Sequence, residues 1–319
     1  MQDSFNREIN YLRISVTDLC NLRCKYCMPE NGVKKLLHSQ IMTVNEIEEF
    51  VCTAAKLGIN KVRLTGGEPL VRKGIIEICH RIASINDILE LCMTTNGILL
   101  EKYAHDLKLA GVDRLNISID TLQEMKYKNI TRCTEIDNPV DKIFAGIDKA
   151  KSEGFKKIKL NVVLQGGVND DEIVDFINLT KDNDFEVRFI ELMPIGPAKC
   201  FGKESFVSNN IVLEKEPRLK HFTDSGVSKI YGIDGYKGRV GLISPVSNHF
   251  CEFCNRIRLT ADGKIKMCLH AQNETSIKGL QGEELYKAIQ ESIQAKPKNF
   301  DISYINPSSS LRGMNQIGG

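Results

Sequence analysis

The sequence predicts an α/β fold: a partial (β/α)6 TIM-type barrel over residues 1–195, followed by a C-terminal module over residues 196–319. Three observations predict it. Strand-like runs alternate with helix-like segments through the first 195 residues, the mark of right-handed βαβ units and a parallel sheet. Those runs alternate apolar with polar side chains, whereas strands buried on both faces of a parallel sheet read as continuous apolar runs. The rhythm then stops after Met193-Pro194.

Strands are expected at 12–16, 61–65, 89–94, 114–120, 157–164 and 185–192, and helices at 44–57, 74–85, 101–110, 139–153 and 171–182. In the first strand Leu12, Ile14 and Val16 alternate with Arg13 and Ser15. The first helix begins at Thr43, an N-cap with Glu46 at the capping-box position. Gly58, Gly111 and Gly154 stand where helices of this length want a left-handed C-terminal residue. The second strand alternates Val62 and Leu64 with Arg63 and ends in Thr65-Gly66-Gly67-Glu68-Pro69. The fourth sets Leu115, Ile117 and Ile119 against Asn116, Ser118 and Asp120, and the fifth sets Ile158, Leu160 and Val162 against Lys159 and Asn161. The apolar set packs on the helices, so the polar set faces inward. A barrel lumen holding Arg13, Arg63, Lys159 and Arg188 cannot be dry, because unpaired buried charges are costly. It should take a polyanionic substrate. The competing reading is a half-open sheet whose polar face is solvated.

Length suffices for one barrel-sized domain or two smaller ones, and 42% hydrophobic with 26% charged residues is ordinary for a globular chain. A net charge of +2 speaks against bulk attraction to nucleic acid or membrane. No stretch of apolar residues is long enough to span a bilayer and no signal-like segment opens the chain, so a cytoplasmic location is expected. Eleven cysteines in such a chain point to reduced thiols used for metal rather than to disulfides.

Six of the eleven form two triplets. Cys20, Cys24 and Cys27, spaced C-x3-C-x2-C, offer three thiolates to a metal centre and leave one position open. A structural zinc would normally find its fourth ligand close by, and the next candidate, His38, lies beyond a glycine-containing loop. An iron–sulfur cluster on three thiolates keeps one iron free for a small molecule. The second triplet, Cys251, Cys254 and Cys268, spans an Asp262-Gly263 hairpin turn. His249 and His270 flank it, so on spacing alone a Cys3His zinc site competes with a second cluster. Arg256 and Arg258, two guanidiniums beside that centre, suit bidentate recognition of phosphate or a base edge. The stretch 195–236 reads as a connecting excursion.

C-x3-C-x2-C with Tyr26 before the third cysteine resembles the cluster motif of radical S-adenosylmethionine (SAM) enzymes. With Arg63 before Gly66-Gly67-Glu68-Pro69, Asn116–Asp120, the second triplet, Arg256-Ile257-Arg258 and the terminal Ile317-Gly318-Gly319, the chain more closely resembles the GTP 3′,8-cyclase family of molybdenum cofactor biosynthesis. That resemblance implies two [4Fe-4S] clusters, one on Cys20, Cys24 and Cys27 and one on Cys251, Cys254 and Cys268. It implies SAM held by Tyr26, Gly67, Ser118 and Met193, and GTP held by Arg13, Arg63, Thr94, Lys159, Arg256, Ile257 and Arg258. Arg13, Gly318 and Gly319 are implied to be catalytic, the glycines by threading a narrow passage beside GTP. An electron donor such as flavodoxin or ferredoxin and a downstream cyclic pyranopterin monophosphate synthase are the implied partners, and a homodimer is compatible with the reading. Another radical SAM enzyme with an auxiliary cluster, such as a peptide maturase, shares the core motifs but needs no convergence of cations.

Overall fold

A computed structural model describes residues 1–318. Six parallel strands form its centre: β1 Tyr11–Ser15, β2 Lys61–Thr65, β3 Glu90–Thr95, β4 Arg114–Ser118, β5 Ile158–Leu164 and β6 Phe185–Glu191. Their crossover helices are α1 Val44–Lys56, α2 Ile75–Ala83, α3 Leu100–Leu109, α4 Glu124–Thr131, α5 Pro139–Ser152 and α6 Ile173–Asp182. The later residues add α7 Asn210–Lys215, the strands β7 Lys220–Ser225, β8 Ser228–Gly232, β9 Arg239–Ile243, β10 Arg256–Leu259, β11 Lys264–Lys266 and β12 Thr275–Ser276, then α8 Gly282–Gln294 and α9 Met314–Ile317.

All twelve described strands lie in one sheet, in the order β12-β11-β10-β1-β2-β3-β4-β5-β6-β9-β8-β7. The order is linear, so the expected partial barrel stays open. Later strands extend both of its edges: β10 pairs parallel with β1, and β9 pairs parallel with β6.

Alternation along the strands divides the sheet into two faces. Leu12, Ile14, Val62, Leu64, Leu115, Ile117, Leu160 and Val162 are buried in the main apolar cluster with Ile47, Phe50 and Val51 of α1 and Phe176 of α6. Thr43 caps α1 as its sequence requires: its Oγ1 accepts from the Glu46 amide at 3.2 Å, while the Thr43 amide donates to Glu46 Oε2 at 2.7 Å. Such a cap stabilises a helix end by about 1 kcal/mol. Gly58, Gly111 and Gly154 end their helices at φ between 87° and 92°.

Three elements depart from the expectation. α4 is weakly amphipathic and buries only Tyr127, Ile130 and Thr131, so its periodicity is faint. The stretch 195–236 is more than a connector: it holds α7 and the β7–β8 hairpin, whose strand β7 is exposed throughout and shows no alternation. α8, which packs on α1 and β11, covers the outer face of the added edge. Among the described residues no helix is long and apolar enough to cross a membrane.

Candidate active site

Parallel pairing without stagger sets the inward-facing residues side by side. Arg258, Arg13 and Arg63 are direct neighbours on β10, β1 and β2, and Cys92 and Arg114 continue the row onto β3 and β4. One step up the strands, Thr94, Asn116, Lys159 and Glu186 form a second row. All of these but Cys92 and Glu186 line a cavity of about 560 Å³, eight of whose lining residues are Arg or Lys. Its lining carboxylates do not balance them. Glu68 accepts from the Leu70 and Asn96 amides and Thr95 Oγ1, and Glu191 accepts from the amides of Asn209, Val246 and Ser247.

Crowding of like charges shows in the protonation energetics. Burial, with Arg256 beside it, pulls Arg258 down to about 10. Burial also pulls Arg13 well below its usual value, although Tyr11 opposes the shift. Burial and Arg188 bring Lys159 to about 8, even though its ammonium lies 2.5 Å from Glu186 Oε2. Burial should raise Tyr11, but Arg63 and Arg13 outweigh it and hold the phenol at about 8. Arg63 donates to the Tyr11 hydroxyl and to Thr94 Oγ1, the latter at 3.2 Å. Charges packed this way favour an anion that enters and neutralises them.

The first triplet follows β1 and borders this basic floor. Cys20, Cys24 and Cys27 are free thiols facing the cavity. Burial pushes Cys20 up to about 11 and Cys27 up to about 12, and burial with Cys27 and Asp120 nearby pushes Cys24 well above its usual value. Three desolvated thiols, raised by burial even where Arg23 opposes it at Cys20, are the donor set a metal cluster would deprotonate and hold. Tyr26 also lines the cavity, its hydroxyl donating to Asp120 Oδ2 at 2.7 Å. Gly66 and Gly67 lie beneath the cysteine loop. A Cβ on Gly67 would stand 2.2 Å from Leu19 O, and one on Gly66, at φ 149°, would stand 2.5 Å from Thr17 O. The glycine pair therefore lets β2 close against the chain that presents Cys20. Ser118 and Met193 line the same end, as do Asn116 and Asn161, whose buried Oδ1 atoms have no hydrogen-bond partner.

The second triplet lines the same cavity beside Arg256 and Arg258. Burial raises Cys254, but Lys296 and Arg256 reverse the shift and bring it to about 7. Lys296 is held in place by donating to Arg256 O at 2.8 Å and Met267 O at 2.7 Å. A partly ionised thiol poised by two cations fits a metal ligand. His249 and His270 also line the cavity, and burial with Arg258 nearby lowers His270 to about 3, so it is neutral. Among the described residues no three Cys, His, Asp or Glu side chains converge on a single-ion site.

Of the expected site residues, Arg13, Arg63, Thr94, Lys159, Arg256 and Arg258 line the cavity, as do all six triplet cysteines. Ile257 does not. It alternates to the opposite face of β10 and is fully buried in the apolar core, so its side chain is a packing residue. Gly318 is also absent from the lining; it lies against Thr65, while Met314 and Asn315 just before it face the cavity. Gly319 lies outside the described residues. Tyr11 and Lys61 were missed, although each stands two residues before an expected cation on the same strand face. Arg114 and Lys296 were missed as well.

Residues 14–180 match the model of the radical SAM superfamily, and residues 185–302 match that of Molybdenum Cofactor Synthesis C. Proteins described as GTP 3′,8-cyclase are 48% identical in Alkaliphilus metalliredigens (strain QYMF), over all of both chains, and 46% identical in Peptoclostridium acidaminophilum, over 99% of this chain and 98% of the relative. The chain belongs to the radical SAM superfamily and to its GTP 3′,8-cyclase family. Among solved structures it resembles Streptococcus suis SuiB bound to precursor peptide SuiA, with a TM-score of 0.61 at 14% identity over 97% of this chain and 76% of that one. It also resembles native anSMEcpe with bound AdoMet, with a TM-score of 0.57 at 15% identity over 90% and 83%. At such identities these two likenesses concern the radical SAM fold alone.

Proposed function

We propose that the chain is a radical SAM GTP 3′,8-cyclase of the lyase class, converting GTP to (8S)-3′,8-cyclo-7,8-dihydroguanosine 5′-triphosphate in the first step of molybdenum cofactor biosynthesis. One observation carries the reading: two cysteine triplets border a single cavity whose floor is a row of neighbouring arginines. Cys20, Cys24 and Cys27 would hold a [4Fe-4S] cluster, and Cys251, Cys254 and Cys268 a second one. When bound, the first cluster with SAM supplies the 5′-deoxyadenosyl radical that takes the ribose 3′ hydrogen. The chain's own residues do the rest. Arg13, Arg63, Arg256, Arg258 and Lys159 neutralise a triphosphate of charge about −4 and fix its orientation. Tyr26, Gly67, Ser118 and Met193 hold SAM, with Asn116 and Asn161 offering free acceptors to its polar groups. The apolar lining, including Leu192, Ile243 and Ile302, limits water near the reacting atoms.

The division near residue 195, the cytoplasmic location, an electron donor such as flavodoxin or ferredoxin and delivery of the product to a pyranopterin monophosphate synthase belong to the same proposal. Its test is anaerobic incubation of the reduced protein with SAM and GTP, ATP or no nucleotide. Cyclised product together with 5′-deoxyadenosine should form only with GTP. Equal 5′-deoxyadenosine without a GTP-derived product would refute the assignment.

Gly318 offers a sharper probe. It sits at φ 69°, and a Cβ there would lie 2.2 Å from Thr65 Oγ1. Gly318→Ala should shift the tail and lower product yield on the order of 100-fold, the scale of a misplacement near 1 Å. The global melting temperature, followed by circular dichroism, should hardly move, since the residue lies in a short terminal segment.

A further inference from the structure

We infer that Arg312 is a positioning residue, clamping the C-terminal segment to the β10–β11 hairpin so that the residues after it stay seated on the first cysteine loop. The inference rests on the functional reading above and goes beyond it, since no charged group of the tail has a role there.

Arg312 makes a forked contact with Glu274, from Nε to Oε1 at 2.6 Å and from Nη2 to Oε2 at 2.8 Å. Its Nη2 also donates to Asp262 Oδ2 at 2.8 Å. The three side chains are between 13% and 17% exposed, so water screens the contacts little. Paired forks of this kind fix orientation as well as distance. Asp262 forms the turn between β10 and β11, four residues beyond Arg258, and Glu274 also lies 3.8 Å from the buried ammonium of Lys266 on β11. The clamp thus grips the hairpin that carries the second basic pair.

On the other side of the clamp the chain meets the first triplet at once. A Cβ on Gly313 would stand 3.4 Å from Cys27 O, and one on Gly196 would stand 3.2 Å from Gly313 Cα. The Asn315 amide points at the Cys27 thiol, Asn315 Nδ2 donates to Asp18 O at 3.3 Å, and α9 packs on β1. A four-residue helix has no stability of its own. Contacts other than ion pairs tether the rest of the segment: the Lys199 ammonium donates to Ser310 O at 2.9 Å, Ser309 Oγ to His270 O at 2.8 Å and the Ser308 amide to Pro194 O at 3.0 Å, and Ile317 is buried. Arg312 is the charged tie between the tail at Cys27 and the hairpin that carries Arg258.

The test measures amide hydrogen exchange of residues 313–317 in the protein without SAM or GTP, for wild type, Arg312→Ala, Arg312→Lys and Glu274→Gln. Exchange should quicken about tenfold or more in Arg312→Ala and Glu274→Gln, and less in Arg312→Lys, with β1 to β6 unchanged. In the loaded enzyme Arg312→Ala should lower cyclised product per 5′-deoxyadenosine about tenfold or more, with KM for GTP within about twofold of wild type. Unaltered tail exchange overturns the clamp, and faster exchange with an unaltered product ratio overturns its positioning role. Absence of cyclised product from wild type refutes the functional reading instead, while the exchange result still decides the clamp.

Discussion

Anaerobically reconstituted protein is expected to bind about eight irons per chain, four on each triplet, because each offers three thiolates and leaves one iron open. Cys24→Ala should bring 5′-deoxyadenosine formation below detection. Its thiol is desolvated by burial beside Cys27, and two remaining thiolates would not hold a cluster there. Cys254→Ala should instead retain four irons and SAM binding while losing productive GTP binding, since Cys254 stands among Lys296, Arg256 and Arg258. Iron analysis, electron paramagnetic resonance of the reduced protein and chromatography of the SAM products check all three statements. Stoichiometric zinc at the second triplet after anaerobic isolation from iron-replete cells would remove the second cluster from the account.

Arg258→Ala should weaken GTP binding by about 2–4 kcal/mol, a change calorimetry resolves easily. Arg258 is buried between Arg13 and the second triplet, and its Nε has no hydrogen-bond partner. The side chain gives up solvent and sits in a row of like charges, which Cys254 and Cys268 offset in part and an incoming anion would offset further. Truncation would leave phosphate or guanine acceptors unpaired in a partly dry site. SAM binding should barely change. Unaltered GTP affinity in both the Arg256 and Arg258 variants would show that β10 does not hold the substrate.

Much of this site was legible because its signals are local. Period-two alternation on β1, β2, β4 and β5 already separates core from lumen, so Arg13, Arg63 and Lys159 could be placed without coordinates. Cysteine spacing did the same for both triplets. Ile257 was misplaced for want of the same rule, since a residue between two inward arginines must face outward. The residues that stayed hidden depend on distant pairing. Lys296 reaches Arg256 O across 40 residues, and Arg312 reaches Glu274 across 38. Glu186, which tempers Lys159 and Arg188, looks like any exposed polar position of a strand until β5 and β6 are paired. The β7–β8 hairpin was invisible because an edge strand exposed on both faces carries no hydrophobic period.

The pairing of β10 with β1 also governs when the molecule can be completed on the ribosome. Asn255 Nδ2 donates to Asn10 Oδ1 at 2.7 Å across 245 residues, and Arg7 donates to Cys251 O at 2.9 Å across 244. At translation rates of 5–20 residues per second, the outer edge of β1 waits roughly 12–50 s for its partner strand. During that interval the nascent chain carries an unpaired strand edge beside three free thiols, the kind of surface that invites intermolecular pairing. Edge protection of β1 thus waits until β10 has been made. Ribosome-bound chains stalled before residue 256 should accordingly expose Cys20, Cys24 and Cys27 to thiol reagents that the released protein resists.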